Sequence, residues 1–144
     1  MFTKITVGID GSKASENALR LACDLAKKYD AAMHIVHAPQ LETIAYAVGA
    51  SAVAVSPTQE ELDAVGTAVI DAGKAIAQDC GQAVAKTHIL AGSSADQILE
   101  CAEDWGADLI VMGRRGLGGI SSLILGSTSQ RVSHMAKCAC LTVA

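Results

Sequence analysis

Aromatic residues are scarce in this chain: one Phe, two Tyr and one Trp, 3% of 144 residues. A core built without them must come from Ala, Val, Ile and Leu. The hydrophobic content of 51% suffices for one core of ordinary size, a single domain over 1–144. Basic charge is scarce too. A net charge of −4 and the lack of a basic stripe argue against a nucleic-acid backbone as partner. The longest apolar stretch, Ile44 to Val55, is too short for a bilayer and rich in Ala, Gly and Ser, so no membrane insertion is expected. Met1 to Lys4 lack a signal-peptide layout and lead straight into a strand pattern, which gives the expectation of a soluble cytoplasmic protein. The five cysteines, Cys23, Cys80, Cys101, Cys138 and Cys140, are odd in number and mostly scattered, as suits small buried residues in a reducing compartment. Cys138 and Cys140 have a spacing unusual for zinc, with no second Cys or His pair nearby, so no metal site made by the protein alone is expected. Internal repeats and low-complexity tracts are also missing.

What is present centres on one stretch. Asp108 to Met112 is a short apolar run, read as the central strand. Gly113, Arg114, Arg115 and Gly116 follow, then nine residues, then Gly126, Ser127, Thr128 and Ser129. Gln130 to Lys137 reads as a short helix. A buried strand thus enters a glycine-rich loop that feeds a helix N-terminus, an arrangement suited to phosphate. Glycines let the backbone approach an anion and adopt positive φ where needed. The first helical N–H groups have no intrahelical partners and carry partial positive charge. The hydroxyls of Ser127, Thr128 and Ser129 add donors, and Arg114 or Arg115 is within reach of a phosphate or faces solvent. Gly126→Val is expected to abolish binding, by blocking approach and penalising any positive φ.

The rest of the chain alternates strand and helix. Thr3 to Asp10 reads as the first strand, with Ser12 as cap of the next helix. Asp10 stands at the carboxyl end of that strand, where open α/β sheets hold ligands. There it can accept from a ribose hydroxyl or hold Mg²⁺ through water, or equally serve the turn formed by Asp10, Gly11 and Ser12. Gly8 to Lys13 is no Walker A loop, because the Gly-Lys-Ser/Thr ending is missing. Ala31 to Ala38 is the second strand; His34 and His37, three apart, face opposite sides, cannot readily share a metal, and read as structural. Gln40 to Ser56 is a long apolar connection, which covers a ligand, meets a partner subunit or adds a helical turn to the core. Pro57 suits the first position of the second helix, and Thr58 with Glu61 resembles a capping box. Leu62, Val65, Val69, Ile76 and Ala77 form its apolar face, and Gly81 suits its C-terminal end. Ala83 to Leu90 has the alternation of an edge strand. Ser94 with Gln97 offers another capping box before a helix buried along Ile98, Leu99, Ala102 and Trp105. Ala139 to Val143 closes the chain as a short strand. The alternation predicts an α/β fold: an open parallel five-stranded sheet of order 3-2-1-4-5 with helices on both faces, flavodoxin-like and related to the Rossmann fold. The order reverses between strands 1 and 4, which brings Asp10 to the 113–128 loop.

The pattern Gly113-x2-Gly116-x9-Gly126-Ser127, after a strand ending in Val111 and Met112, resembles the ATP-binding motif of the universal stress protein family. Ile5 to Ser12 is similar to that family's opening strand and Asp-Gly-Ser turn, and the likeness spans nearly the whole chain, with 39–56 matched least. The resemblance implies ATP, with Mg²⁺, held at the strand 1/strand 4 crevice by Gly8, Asp10, Ala38, Met112, Gly113, Arg115, Gly116, Gly126, Ser127 and Thr128, with the backbone near Ala38 against the adenine. It also implies a homodimer or larger oligomer through the last strand, and a regulatory role in stress responses exerted on an unidentified protein partner. Two positions depart from the pattern: Gly8 and Ala139 stand where relatives usually have Pro. A competing reading is a slow ATPase or nucleotidyl transferase. Such an enzyme needs a base or nucleophile beside the γ-phosphate. The motif's Arg, Ser and Thr residues bind, and Asp10 is the sole nearby carboxylate, so the expectation is a binding protein and not an enzyme. A purely structural role with an empty crevice is the third reading, against which the intact glycines speak.

Overall fold

The computed structural model describes residues 1–40, 44–48, 51–55, 57–117 and 125–144. Strand β1 (Lys4–Gly8) is the middle of the main sheet. Successive side chains point to opposite faces, so Ile5 and Val7 bury against one layer of helices and Thr6 against the other. Strands β2 (Ala32–His37), β5 (Lys86–Ile89), β6 (Leu109–Gly113) and β7 (Ala139–Val143) join it, all parallel, in the order β5-β2-β1-β6-β7. This is the 3-2-1-4-5 order expected from the alternation. The most apolar strand, β6, lies one place from the centre rather than at it. Both inner strands are covered on two faces, so apolar content alone does not rank them.

Helices α1 (Lys13–Tyr29) and α2 (Gln59–Asp79) cover one face, where Ile5, Val7, Met33, Ile35, Leu109 and Val111 meet Leu19, Ala22 and Ile70. Helices α3 (Ser94–Trp105) and α4 (Ser127–Met135) cover the other, where Val36, Ile110 and Met112 meet Ile98, Ala102 and Val132. The helix starts follow local chemistry. Ser12 caps α1 by accepting from Ser15 N at 3.2 Å. Thr58 caps α2 in a reciprocal box, its N–H donating to Glu61 Oε2 at 2.9 Å and its Oγ1 accepting from Glu61 N at 3.3 Å. Pro57 therefore lies outside the helix, not at its first position. Helix α3 starts one residue earlier than the Ser94 box supposes: its cap is Ser93, without a side-chain hydrogen bond. Gly81, at φ 71°, takes the left-handed position beyond α2 as expected.

The buried stripe of α2 is Leu62, Gly66, Ile70, Gly73 and Ala77, rotated from the face read in the sequence. Its glycines bring the helix close to the sheet: a Cβ at Gly66 would sit 2.7 Å from Ile89, and one at Gly73 would sit 2.8 Å from Ile9. Val65 consequently turns outward. The 40–56 connection holds an antiparallel hairpin of strands β3 (Ile44–Val48) and β4 (Ser51–Val55), separate from the main sheet. The sequence points instead to a long apolar connection that covers a ligand, meets a partner subunit or adds a helical turn to the core, and none of these readings contains a hairpin. The period-two placement of Ile44, Tyr46 and Val48 is diluted by alanines, which hides strand alternation among neutral residues. Residues 41–43, 49–50 and 56 of that segment, and 118–124 of the glycine motif, lie outside the described residues. No helix among the described residues is long and apolar enough to cross a membrane.

Candidate functional site

Strands β1 and β6 pair Gly8 with Met112, and beyond this point the chain leaves β1 toward one helical layer and β6 toward the other. The resulting crevice opens at the carboxyl ends of the strands. On the β1 side, Gly11 takes φ 84° in the turn, and Asp10 Oδ1 accepts from Ser12 N at 2.9 Å. That is the turn role. The second carboxylate oxygen faces the glycine loop so closely that a Cβ at Gly116 would collide with it. On the β6 side, a Cβ at Gly113 would lie 2.9 Å from Ser15 N and 3.0 Å from the Ala14 carbonyl carbon, so this glycine admits the first turn of α1. Among the described glycines, positive φ occurs at Gly11, Gly81, Gly92 and Gly106 and not at Gly113, Gly116 or Gly126. The motif glycines serve close approach, not left-handed backbone. For Gly126, at φ −75° and ψ 160°, the positive-φ penalty expected of a valine does not apply.

The neck of the loop is closed by Arg114 O, which accepts from Gly126 N at 2.9 Å and from Ser129 Oγ at 2.7 Å. Ser129 is buried and its hydroxyl also lies 3.0 Å from Gly126 O. Of the three hydroxyls expected to add donors, this one is committed to bracing the loop. Gly126 stands at the N-cap of α4 and offers no side-chain hydrogen bond, so the helix's first N–H groups carry their partial positive charge beside the crevice that Ser127, Thr128 and Ser129 line. Arg114 Nε is buried with no hydrogen-bond partner among the described residues. A buried donor left so is costly unless something accepts from it.

The opposite wall comes from β2 and α3. His37 Nδ1 lies 2.9 Å from Ile9 O, and Gln40 Nε2 donates to Ala38 O at 3.2 Å and to Ser94 Oγ at 2.9 Å. Val65 and Val69 of α2 form an apolar rim. The crevice encloses about 760 Å³ and adjoins a smaller cavity of about 70 Å³ beside Gly8, Ile98 and Met112. All ten residues singled out from the sequence line one or both: Gly8 and Met112 the smaller, Gly126 and Ser127 the larger, and Asp10, Ala38, Gly113, Arg115, Gly116 and Thr128 both. His37, Gln40, Ser93, Ser94, Val65 and Val69 escaped the reading. The two serines lie in the turn between β5 and α3, so the rule that strand carboxyl ends face ligands would have found them. The valines appear only once the glycines of α2 are known to rotate it.

A doubly wound parallel sheet with a loop-and-helix crevice at its reversal point is the class of protein that fold and site define. The family model for the universal stress protein family matches residues 1–144, and the chain belongs to that family. It is 33% identical over 149 residues to universal stress protein YxiE of Bacillus subtilis, covering 99% of each, and 36% identical over 150 residues to a universal stress protein of Thermus aquaticus, again 99% of each. Among solved structures, a universal stress protein in complex with cAMP matches with a TM-score of 0.75 at 26% identity, over 99% of this chain and 97% of that one. A universal stress protein from Archaeoglobus fulgidus matches in fold with a TM-score of 0.72 at 20% identity, over 100% of this chain and 95% of that one.

Proposed function

We propose that this protein binds ATP in the crevice, together with Mg²⁺, and acts as a regulatory protein of stress responses rather than as an enzyme. The observation that carries the reading is the loop neck: the start of α4, without a side-chain cap and braced by Arg114 O and Ser129, lines the same crevice as Arg114, whose Nε is buried with no hydrogen-bond partner among the described residues. Both call for an anion with several oxygens. The cAMP-bound relative supports an adenine nucleotide. On this reading Gly113, Arg115, Gly116, Gly126, Ser127 and Thr128 take the phosphates, and Gly8, Ala38 and Met112 stand by the base. Asp10 Oδ2, on the loop side, meets a ribose hydroxyl or a hydrated Mg²⁺. A crevice of about 760 Å³ is within the ordinary range for a bound small molecule.

Binding is favoured over turnover because, among the described residues, the titratable groups lining the crevice are Asp10, His37, Arg114 and Arg115, and His37 Nδ1 is spent on Ile9 O. The five cysteines are free, in keeping with a reducing cytoplasm. Extraction of the purified protein followed by chromatography is expected to release adenine nucleotide. Tight GTP binding without ATP binding would overturn the base assignment, and steady-state ATP turnover would overturn the regulatory reading in favour of a slow ATPase.

A further inference from the structure

A second side-chain cluster lies outside the crevice, on the α3 face of the sheet near its β5 edge. His34 of β2 and His88 of β5 approach with Nδ1 and Nε2 3.3 Å apart. Cys101 of α3 completes a trio in which one nitrogen of each imidazole and the sulfur all lie within 4.8 Å of one another. His34 and Cys101 are each only 8% exposed. None of the three lines the nucleotide crevice; they open instead to a separate groove of about 450 Å³, shared with Lys86, Glu100 and Asp104. Trp105 stacks on the His34 ring at 3.4 Å between centroids and 7° between planes, which fixes that ring's plane.

We infer that His34, His88 and Cys101 form a binding site for a late first-row transition metal ion, with Zn²⁺ as the best match. The chemistry of the set points there. Two imidazoles and a thiolate are ligands of borderline softness, suited to zinc and poorly suited to magnesium or calcium. Tetrahedral zinc with bonds of about 2.0–2.1 Å to nitrogen sets its two nitrogen ligands about 3.3–3.4 Å apart, which is the spacing His34 and His88 already have. The sulfur, within 4.8 Å of both nitrogens, has to close to about 3.6 Å to complete the set. The protonation equilibria favour the two imidazoles as ligands and work against the thiol. Burial first, then His88, Lys86 and Lys4, pushes His34 down to about 4, so its imidazole is neutral and available at pH 7. Burial also lowers His88. The Cys101 thiol is raised by burial, then by Asp104, so it must lose its proton to the solvent when the sulfur–metal bond forms: one proton is released per ion bound. Each imidazole keeps one N–H on its non-ligating nitrogen. The +1 charge of a Zn²⁺–thiolate unit is offset by Glu100 and Asp104, which line the groove with Lys86, and the fourth tetrahedral position is left to a solvent water.

Trp105 is the chain's only tryptophan, so its fluorescence reports directly on the stacked His34. The test titrates chelator-stripped, reduced protein with Zn²⁺, following Trp105 fluorescence and calorimetric stoichiometry, and repeats it with Co²⁺ to record a thiolate-to-metal absorption band. The expected result is one ion per chain with a dissociation constant of about 1 µM or tighter. His88→Gln and Cys101→Ser, each verified as folded by circular dichroism, are expected to weaken binding at least about tenfold. Cys101→Ser is expected to remove the Co²⁺ absorption band, and Cys138→Ser to leave it. Failure of the wild-type protein to saturate below ~100 µM, or binding by His88→Gln and Cys101→Ser as tight as that of the wild type, would reduce the cluster to a hydrogen-bonded histidine pair and overturn the inference.

Discussion

Asp10 divides its carboxylate between two neighbours, one oxygen on Ser12 N and the other against the backbone of Gly116. Gly116→Ala would drive a methyl group into that second oxygen, so either the loop or the carboxylate must move. Among the described residues, Gly126→Ala meets Arg114 O at 3.4 Å, Arg115 Cα at 3.5 Å and Ser129 Oγ at 3.7 Å, contacts that a slight shift accommodates. Calorimetry on both variants, with circular dichroism as a fold check, is expected to show ATP affinity falling at least about tenfold for Gly116→Ala and less for Gly126→Ala. The reverse order would mean that Asp10 is not part of the site. The places of these glycines were plain in the sequence; their purpose was not, because a tight seam and a left-handed turn both demand glycine. Thr6 carries a different residue-scale lesson. It is fully buried and its Oγ1 has no hydrogen-bond partner among the described residues. Thr6→Val replaces an unmet hydroxyl by a methyl of similar size and is expected to stabilise the fold by ~1 kcal/mol, read as a rise in Tm. A fall in Tm would reveal a partner for that hydroxyl.

At the scale of elements, β6 is tied to β1 at its start by Asp108, which accepts from Thr3 N at 2.8 Å, Thr3 Oγ1 at 2.7 Å and Lys4 N at 3.2 Å. Burial works to raise this carboxyl, but the hydrogen bonds from Thr3 and Lys4 prevail and hold it below its ordinary 3.8. A carboxyl depressed in the fold stabilises the protein fully above its unfolded value and loses that contribution as pH falls through the folded one. Thermal melts are therefore expected to decline below about pH 4 partly through Asp108, and Asp108→Asn to shallow that decline. An unchanged slope would show that the three hydrogen bonds do not favour the charged form. Which elements exist was largely legible, since caps, glycine stops and apolar periods were all local. The rotation of α2 and the β3–β4 hairpin were not. The first depends on Gly66 and Gly73 meeting Ile89 and Ile9 from distant strands. The second lies in a stretch where alanine blurs the contrast between faces.

For the whole molecule, the strand order follows from right-handed crossovers acting on a simple alternation, and it alone brings Asp10 within reach of Gly116, which is why the crevice was foreseeable from one sequence. His34, His88 and Cys101 meet through that same topology, but they sit on three elements and share no local spacing, so no motif announced them. The two sheet edges differ in a way that bears on assembly. β5 is only four residues long and carries the exposed Lys86, which discourages pairing; β7, from Ala139 to Val143, carries no charge. A two-fold dimer with Leu141 to Val143 beside their copies is therefore expected. Sedimentation at micromolar protein checks it, and a monomer there would contradict it. The central claim is the nucleotide site, and its most direct measurement is a calorimetric titration of nucleotide-free protein with Mg-ATP and, in parallel, Mg-GTP. The account predicts one ATP per chain, saturating, with GTP markedly weaker; no saturable heat with ATP on folded protein would contradict it.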